Sequence, residues 1–182
     1  MGYDNFDDYY FPTKGAEIYA EYSLINDLKL DDALGSAFLF NMRKIVSLSQ
    51  KVALILNLNG RALLNSNTTN FKRNVIGGED YEIYLRHHLP FVGISMVTPV
   101  SNYAIICLSG FRFNLLKNHF LTLKGNVSFD NNDLWKLPDT RILWGTGLIY
   151  AIKSGFGSLE ITAGYSNFYK KPTVSFNLGY WF

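Results

Sequence analysis

A two-residue alternation of apolar and polar side chains, sustained over segments of about 10 to 15 residues, limits this chain more than any other feature. Successive side chains of a strand point to opposite faces, so such a segment is a strand with one apolar and one polar face. The last segment is the clearest. Val174, Phe176, Leu178, Tyr180 and Phe182 share one face, and Thr173, Ser175, Asn177 and Gly179 share the other, with Trp181 the exception. Before it, Leu159, Ile161, Ala163 and Tyr165 oppose Ser158, Glu160, Thr162, Gly164 and Ser166, and the polar Asn167–Pro172 connects the two segments. Ile142, Trp144, Leu148, Tyr150 and Ile152 oppose Arg141, Gly145, Gly147 and Lys153. Leu121, Leu123, Val127 and Phe129 oppose Lys124, Asn126, Ser128 and Asp130. Tyr103, Ile105, Cys107, Phe111 and Phe113 oppose Asn102, Gly110, Arg112 and Asn114. The pattern recurs over Val52–Leu58 and Ala16–Leu24. Around Ser36–Leu48 it is rougher: Phe38, Phe40 and Met42 oppose Asn41 and Arg43, and Lys44 breaks the phase, which predicts a bulge there.

Eight strands of this length exceed what a soluble sandwich uses, about five or six residues each, and match the roughly 9–11 residues of a tilted membrane-crossing strand. Charged residues are only 18% and aromatics reach 16%, against a usual charged share of about a quarter. Mean hydropathy is only +0.02. No apolar run approaches the roughly 18 residues of a membrane-crossing helix, and no three-turn apolar stripe predicts a helix. A chain that meets lipid this way must do so as closed strands. Tyr22, Phe38, Phe129, Trp144, Tyr165, Tyr180 and Phe182 gather near strand ends, as interfacial girdles require. The expected fold is therefore all-β: one antiparallel transmembrane β-barrel domain over residues 1–182, with about eight strands, closed by itself or forming half of a sixteen-stranded barrel. The expected place is a bacterial outer membrane, in contact with its lipids. A long connection at about 65–101, containing Gly77 and Gly78, is expected on the extracellular side, since such barrels keep their short turns in the periplasm.

Most charged side chains fall on the polar face: Glu17, Glu21, Arg43, Arg61, Arg112, Lys124, Asp130, Arg141, Lys153 and Glu160. They are expected to face the lumen, either as an ionic filling of a narrow barrel or as the wall of a wider, water-filled one. A net charge of +2 is too balanced for a nucleic-acid partner. Cys107 is the only cysteine and reads as a small hydrophobe within a strand. Met1–Asp4 lacks the basic and apolar regions of a signal peptide, so the start reads as processed or truncated. No nucleophile elbow, phosphate loop or dinucleotide fingerprint occurs. His87 and His88 point to opposite faces if they lie on a strand, which is poor geometry for one metal. No metal or cofactor is expected. Ala163–Asn167 superficially resembles the Ser segment of lipid A deacylases but lacks a nearby His base. No catalytic residue is therefore expected, with a pore or a lipid-modifying barrel enzyme as the alternatives.

Three segments resemble one family. Asp7–Asp8–Tyr9–Tyr10–Phe11–Pro12–Thr13–Lys14–Gly15 is similar to a periplasmic turn of the surface-antigen barrels, the superfamily of outer-membrane assembly and secretion factors. Ser154–Glu160 resembles the turn and strand near the end of those barrels, and Ser175–Phe182 resembles their closing strand. In detail the match is nearest to the C-terminal barrel of bacterial patatin-like phospholipases. The resemblance implies sixteen strands, of which these would be the ninth to sixteenth, with residues 3–10 the tail of a preceding strand. It implies a lipase domain and further strands outside this sequence, and places the long connection where the family's sixth extracellular loop enters the lumen. That loop carries an Arg-Gly-aromatic motif in the family. Asn74–Val75–Ile76–Gly77–Gly78 has no such motif, so the family's lumen-anchoring contact is not carried over. Tyr180 and Phe182 resemble the end of the outer-membrane assembly signal, with Asn177 where the family usually has Gly. The expected role is a membrane anchor or a translocation or display module, with the barrel-assembly machinery as a partner. Pairing with a second copy or with a missing N-terminal half-barrel would complete the wall.

Overall fold

A computed structural model describes residues 1–8, 10–25, 35–64, 73–78, 88–94, 98–140, 142–155 and 157–179. Its strands are β1 (Gly2–Asp4), β2 (Gly15–Ile25), β3 (Gly35–Ser49), β4 (Val52–Leu64), β5 (Val75–Ile76), β6 (His88–Leu89), β7 (Thr98–Pro99), β8 (Tyr103–Leu116), β9 (His119–Asn131), β10 (Leu143–Ser154), β11 (Gly157–Ser166) and β12 (Pro172–Gly179). One nine-stranded sheet runs β1-β2-β3-β4-β8-β9-β10-β11-β12, and β6-β5-β7 forms a small second sheet. Every pair in the large sheet is antiparallel and consecutive, apart from the step from β4 to β8 over the long connection. The eight long strands are those the alternation predicts. β1 is a ninth, short strand, paired with β2 from Gly2↔Tyr19 to Asp4↔Glu17. Among the described residues β1 and β12 do not pair with each other, so the sheet is open.

The two faces differ as the alternation requires. Along β8, Ala104, Ile106, Leu108 and Arg112 are buried, while Cys107, Phe111 and Phe113 are exposed. Along β10, Leu143, Ile149 and Ala151 are buried, while Trp144, Leu148 and Tyr150 are exposed. The outward rows carry large exposed apolar side chains, among them Ile18, Tyr22, Met42, Leu123, Ile161 and Phe176. The inward rows are covered by the described parts of residues 73–100 and by residues 5–14. Connections at 50–51, 117–118 and 155–156, together with 5–14, lie at one end of the sheet, the turn end. The longer connections lie at the other, the loop end.

The expected bulge at Lys44 is not there. β3 keeps an unbroken register with β4 from Ser36↔Leu64 to Ser47↔Ala53, and the irregularity lies between Ser47 and Ser49. Ile45 is 1% exposed on the inward row and Lys44 is exposed on the outward row. The lysine looked out of phase because charge was assigned to the inner face, whereas the backbone keeps its period and puts the charge outside. A second departure is a short 3-10 helix at Leu134–Asp139, where no helix was expected. Among the described residues no helix is long and apolar enough to cross a membrane.

Candidate functional site: the inner wall and the two segments packed on it

The nine polar wall positions that fall in described segments, Glu17, Glu21, Arg43, Arg61, Arg112, Lys124, Asp130, Lys153 and Glu160, all belong to inward rows. Arg141, Tyr180 and Phe182 lie outside the described residues. Glu17 stands directly opposite Arg43 across β2 and β3, and the Arg43 guanidinium lies over the Phe6 ring, 5.3 Å from its centroid. The Tyr19 hydroxyl donates to Glu21, whose carboxylate attracts the buried Arg61. Asp130 accepts from the Ser101 hydroxyl at 2.8 Å. Opposite charges thus meet at Glu17 and Arg43 and at Glu21 and Arg61, with neutral amides elsewhere on the wall. Asn59, Asn126 and Ser128 are buried, with polar atoms that find no partner among the described residues.

At the turn end, the described parts of residues 5–14 fold onto the wall. Phe11 stacks on Phe120 with centroids 4.1 Å apart and planes 10° from parallel. Phe11, Phe120 and Ala151 form a buried cluster. Arg112 donates to the Pro12 carbonyl and lies over the Phe11 ring. Lys153 is paired with Asp8. Burial works against the charge on Asp8, but the Lys153 ammonium and the Phe11 and Tyr10 amides outweigh it and hold the carboxyl below its ordinary range. Asp7 is also held low. Burial opposes this, while the Thr13 hydroxyl and the Lys14 and Thr13 amides stabilise the anion. The segment singled out as a periplasmic turn thus acts as a ring-and-charge clamp on the wall.

The long connection joins β4 to β8 at the loop end, and its described parts lie against the inner wall. Its base is tied by Asn74, a fully buried residue that the sequence reading did not single out. The Asn74 carbonyl accepts from Arg61 at 2.6 Å, and its amide donates to the backbone oxygens of Ser101 and Asn102 at 2.9 and 2.8 Å. Above it, β5 pairs parallel with β6 and antiparallel with β7. Gly77 and Gly78 follow β5 with positive φ. The Gly77 carbonyl meets the ring of buried His88, and Gly78 bridges Phe91. Among the described residues no three metal-ligating side chains converge.

The tip of this connection, Phe91–Val92–Gly93–Ile94, is buried throughout. Phe91 and Ile94 pack with Ile76, Leu89, Ala104, Ile106 and Leu143. Val92 packs with Ile45, Ala53, Ile55 and Leu108. What admits the tip is a run of glycine on the wall. A Cβ at Gly145 would overlap the Val92 carbonyl oxygen, one at Gly147 would overlap the Val92 side chain, and one at Gly164 would come within 2.9 Å of the Gly93 Cα. The Ser166 hydroxyl donates to the Gly93 carbonyl at 2.8 Å. That serine, considered above as an enzyme-like residue, therefore ties Gly93 to the wall. Sequence reading missed this contact because its signal is small residues at inward positions, Gly145, Gly147 and Gly164, and these also read as ordinary polar-face spacing.

A family model for the OMP85 superfamily matches residues 1–182. No curated protein matches the chain. The chain belongs to the OMP85 superfamily, in agreement with the resemblance to surface-antigen barrels.

Proposed function

From membership of the OMP85 superfamily, we propose that this chain is the wall of an outer-membrane β-barrel that anchors, or helps to translocate or display, an attached protein, and that it has no catalytic residues of its own. The observation that carries this reading is the contrast between the faces. The outward rows present apolar side chains to lipid. The inward rows present paired charges and amides, with the described parts of the long connection folded against them. A polar interior with a segment folded into it suits passage or display, whereas chemistry needs a nucleophile and base held together. The barrel-assembly machinery reads the last strand, with Tyr180 and Phe182 as its signal. The open edges of β2 beyond Ala20 and of β12 gain partners from a second copy or from further strands, because an unpaired backbone group in hydrocarbon costs several kcal/mol.

The test is removal of Phe182 in a cell that makes the protein. The expected result is loss of the heat-modifiable, membrane-inserted form; normal insertion would count against the assembly role. Mass measurement in detergent then separates a lone chain from a pair, and planar-bilayer conductance separates an open lumen from one occupied by the long connection.

A further inference from the structure

The outward rows of the eight long strands carry a single formally charged side chain among the described residues, Lys44. It is exposed, with no hydrogen bond or ion pair among the described residues. A lysine on the lipid face is costly in proportion to its depth, so this position calls for an anion. Registers place it in an outward row, Ala16–Lys44–Leu56–Ser109–Gly125–Thr146. Ala16, Ser109 and Gly125 are small, and a trough of about 780 Å³ runs along this row. Its other border is the next outward row, which includes Ile18, Met42, Leu58 and Trp144. Inward residues that lie between these rows along the strands, such as Asn57 and Leu108, also line it, so the backbone of the sheet is its floor.

The trough has a direction. Ala16 is the second residue of β2, at the turn end, whereas Trp144 is the second residue of β10, counted from the loop end. Its lower end therefore holds Lys44, and its apolar length climbs toward Trp144. A lysine at the base snorkels toward the headgroup region, and an apolar channel above it matches an acyl chain. We propose that this trough binds one anionic phospholipid of the periplasmic leaflet, with its phosphate on Lys44 and an acyl chain laid along Leu56, Leu58 and Val127 toward Trp144. A second copy packed by its own outward face does not fit, since among the described residues no outward row carries a carboxylate to meet Lys44. The inference rests on the membrane-barrel reading above.

The experiment uses the protein extracted from outer membranes in mild detergent, with bound lipid measured by native mass spectrometry. The unmutated protein is expected to retain phosphatidylglycerol or cardiolipin. Lys44→Met is expected to lower that retention about fivefold, the effect of one lysine near a charged surface, and Lys44→Arg to restore it. Equal retention by Lys44→Met, or retention of lipid A in place of phospholipid, overturns the proposal. An arm independent of the variants attaches a benzophenone to Cys107, the sole cysteine, which is exposed on the trough border. Irradiation is expected to give a phospholipid adduct, and a protein adduct overturns the proposal. Heat-modifiable mobility is scored in parallel. A chain that forms no barrel refutes the reading of function, whereas a barrel that fails the lipid assay refutes this inference alone.

Discussion

The described parts of residues 5–14 and residues 90–94 do the same thing at different places: each is irregular backbone laid against the inward face of one sheet. The first is held by added groups, namely a carboxylate on Lys153, a guanidinium on the Pro12 carbonyl and one ring on another. The second is held largely by missing groups, because Gly145, Gly147 and Gly164 leave room for Val92 and Gly93 to approach the wall. Electrostatic clamps answer to pH and salt, since their strength depends on charge and screening. A close-packed seat answers to single methyl groups, since packed interiors have little slack. The two anchors should therefore fail under different perturbations.

The largest effect is expected at Phe91, which is 0% exposed in the tip of the long connection. Phe91→Ala should cost about 3–5 kcal/mol, read as a lower midpoint of the heat-modifiable transition. Protease cleavage should rise within 88–94 but not within 5–14. Equal cleavage of both segments would break the distinction between them. Next comes Gly145→Ala, expected to cost about 1–3 kcal/mol by overpacking. The added methyl meets a backbone carbonyl and cannot be relieved by a rotamer change, so the tip should move off the wall and single-channel conductance should rise. Unchanged conductance with a lowered midpoint would mean that the strand moves instead of the tip.

The smallest effect is expected from acid. Asp7 and Asp8 both have carboxyl groups held below the ordinary value of 3.8. A depressed carboxyl contributes stability that is present above the unfolded value and is lost as pH falls through the folded one. The clamp should therefore be intact at neutral pH and loosen only below about pH 4. Asp7 is exposed and the Asp8 side chain is 33% exposed, so solvent screening keeps the contribution small. Amide exchange within 10–14 should quicken in that window and under Asp8→Asn at neutral pH, while exchange at 91–94 stays constant. Quickening at both would show that the two anchors are coupled through the wall.

The eight long strands were legible because the period of two is a local property: side chains alternate wherever the backbone is extended. The inward assignment of Glu17, Arg43, Arg112 and Glu160 came from the same alternation. Lys44 shows the limit of that logic. Reading every charge as inward made an unbroken strand look bulged, whereas register is set by hydrogen bonds along the whole of β3, and one lysine does not shift it. The aromatic positions Trp144 and Tyr165 were read as strand ends, and their rings lie 5.7 Å apart across β10 and β11.

By itself, the sequence determined that this chain builds long two-faced strands, which side chains lie on each face, and its likeness to surface-antigen barrels. Those properties depend on neighbours one or two residues apart. Only the tertiary structure decided where residues 88–94 pack, that Asn74 ties the base of the long connection, and that Lys44 stands outside beside a trough. Each of these depends on residues tens of positions apart meeting across a sheet. The seat for Val92 and Gly93, in particular, is shaped by side chains that are not there, and an absence acquires a shape only when the strands around it are in register.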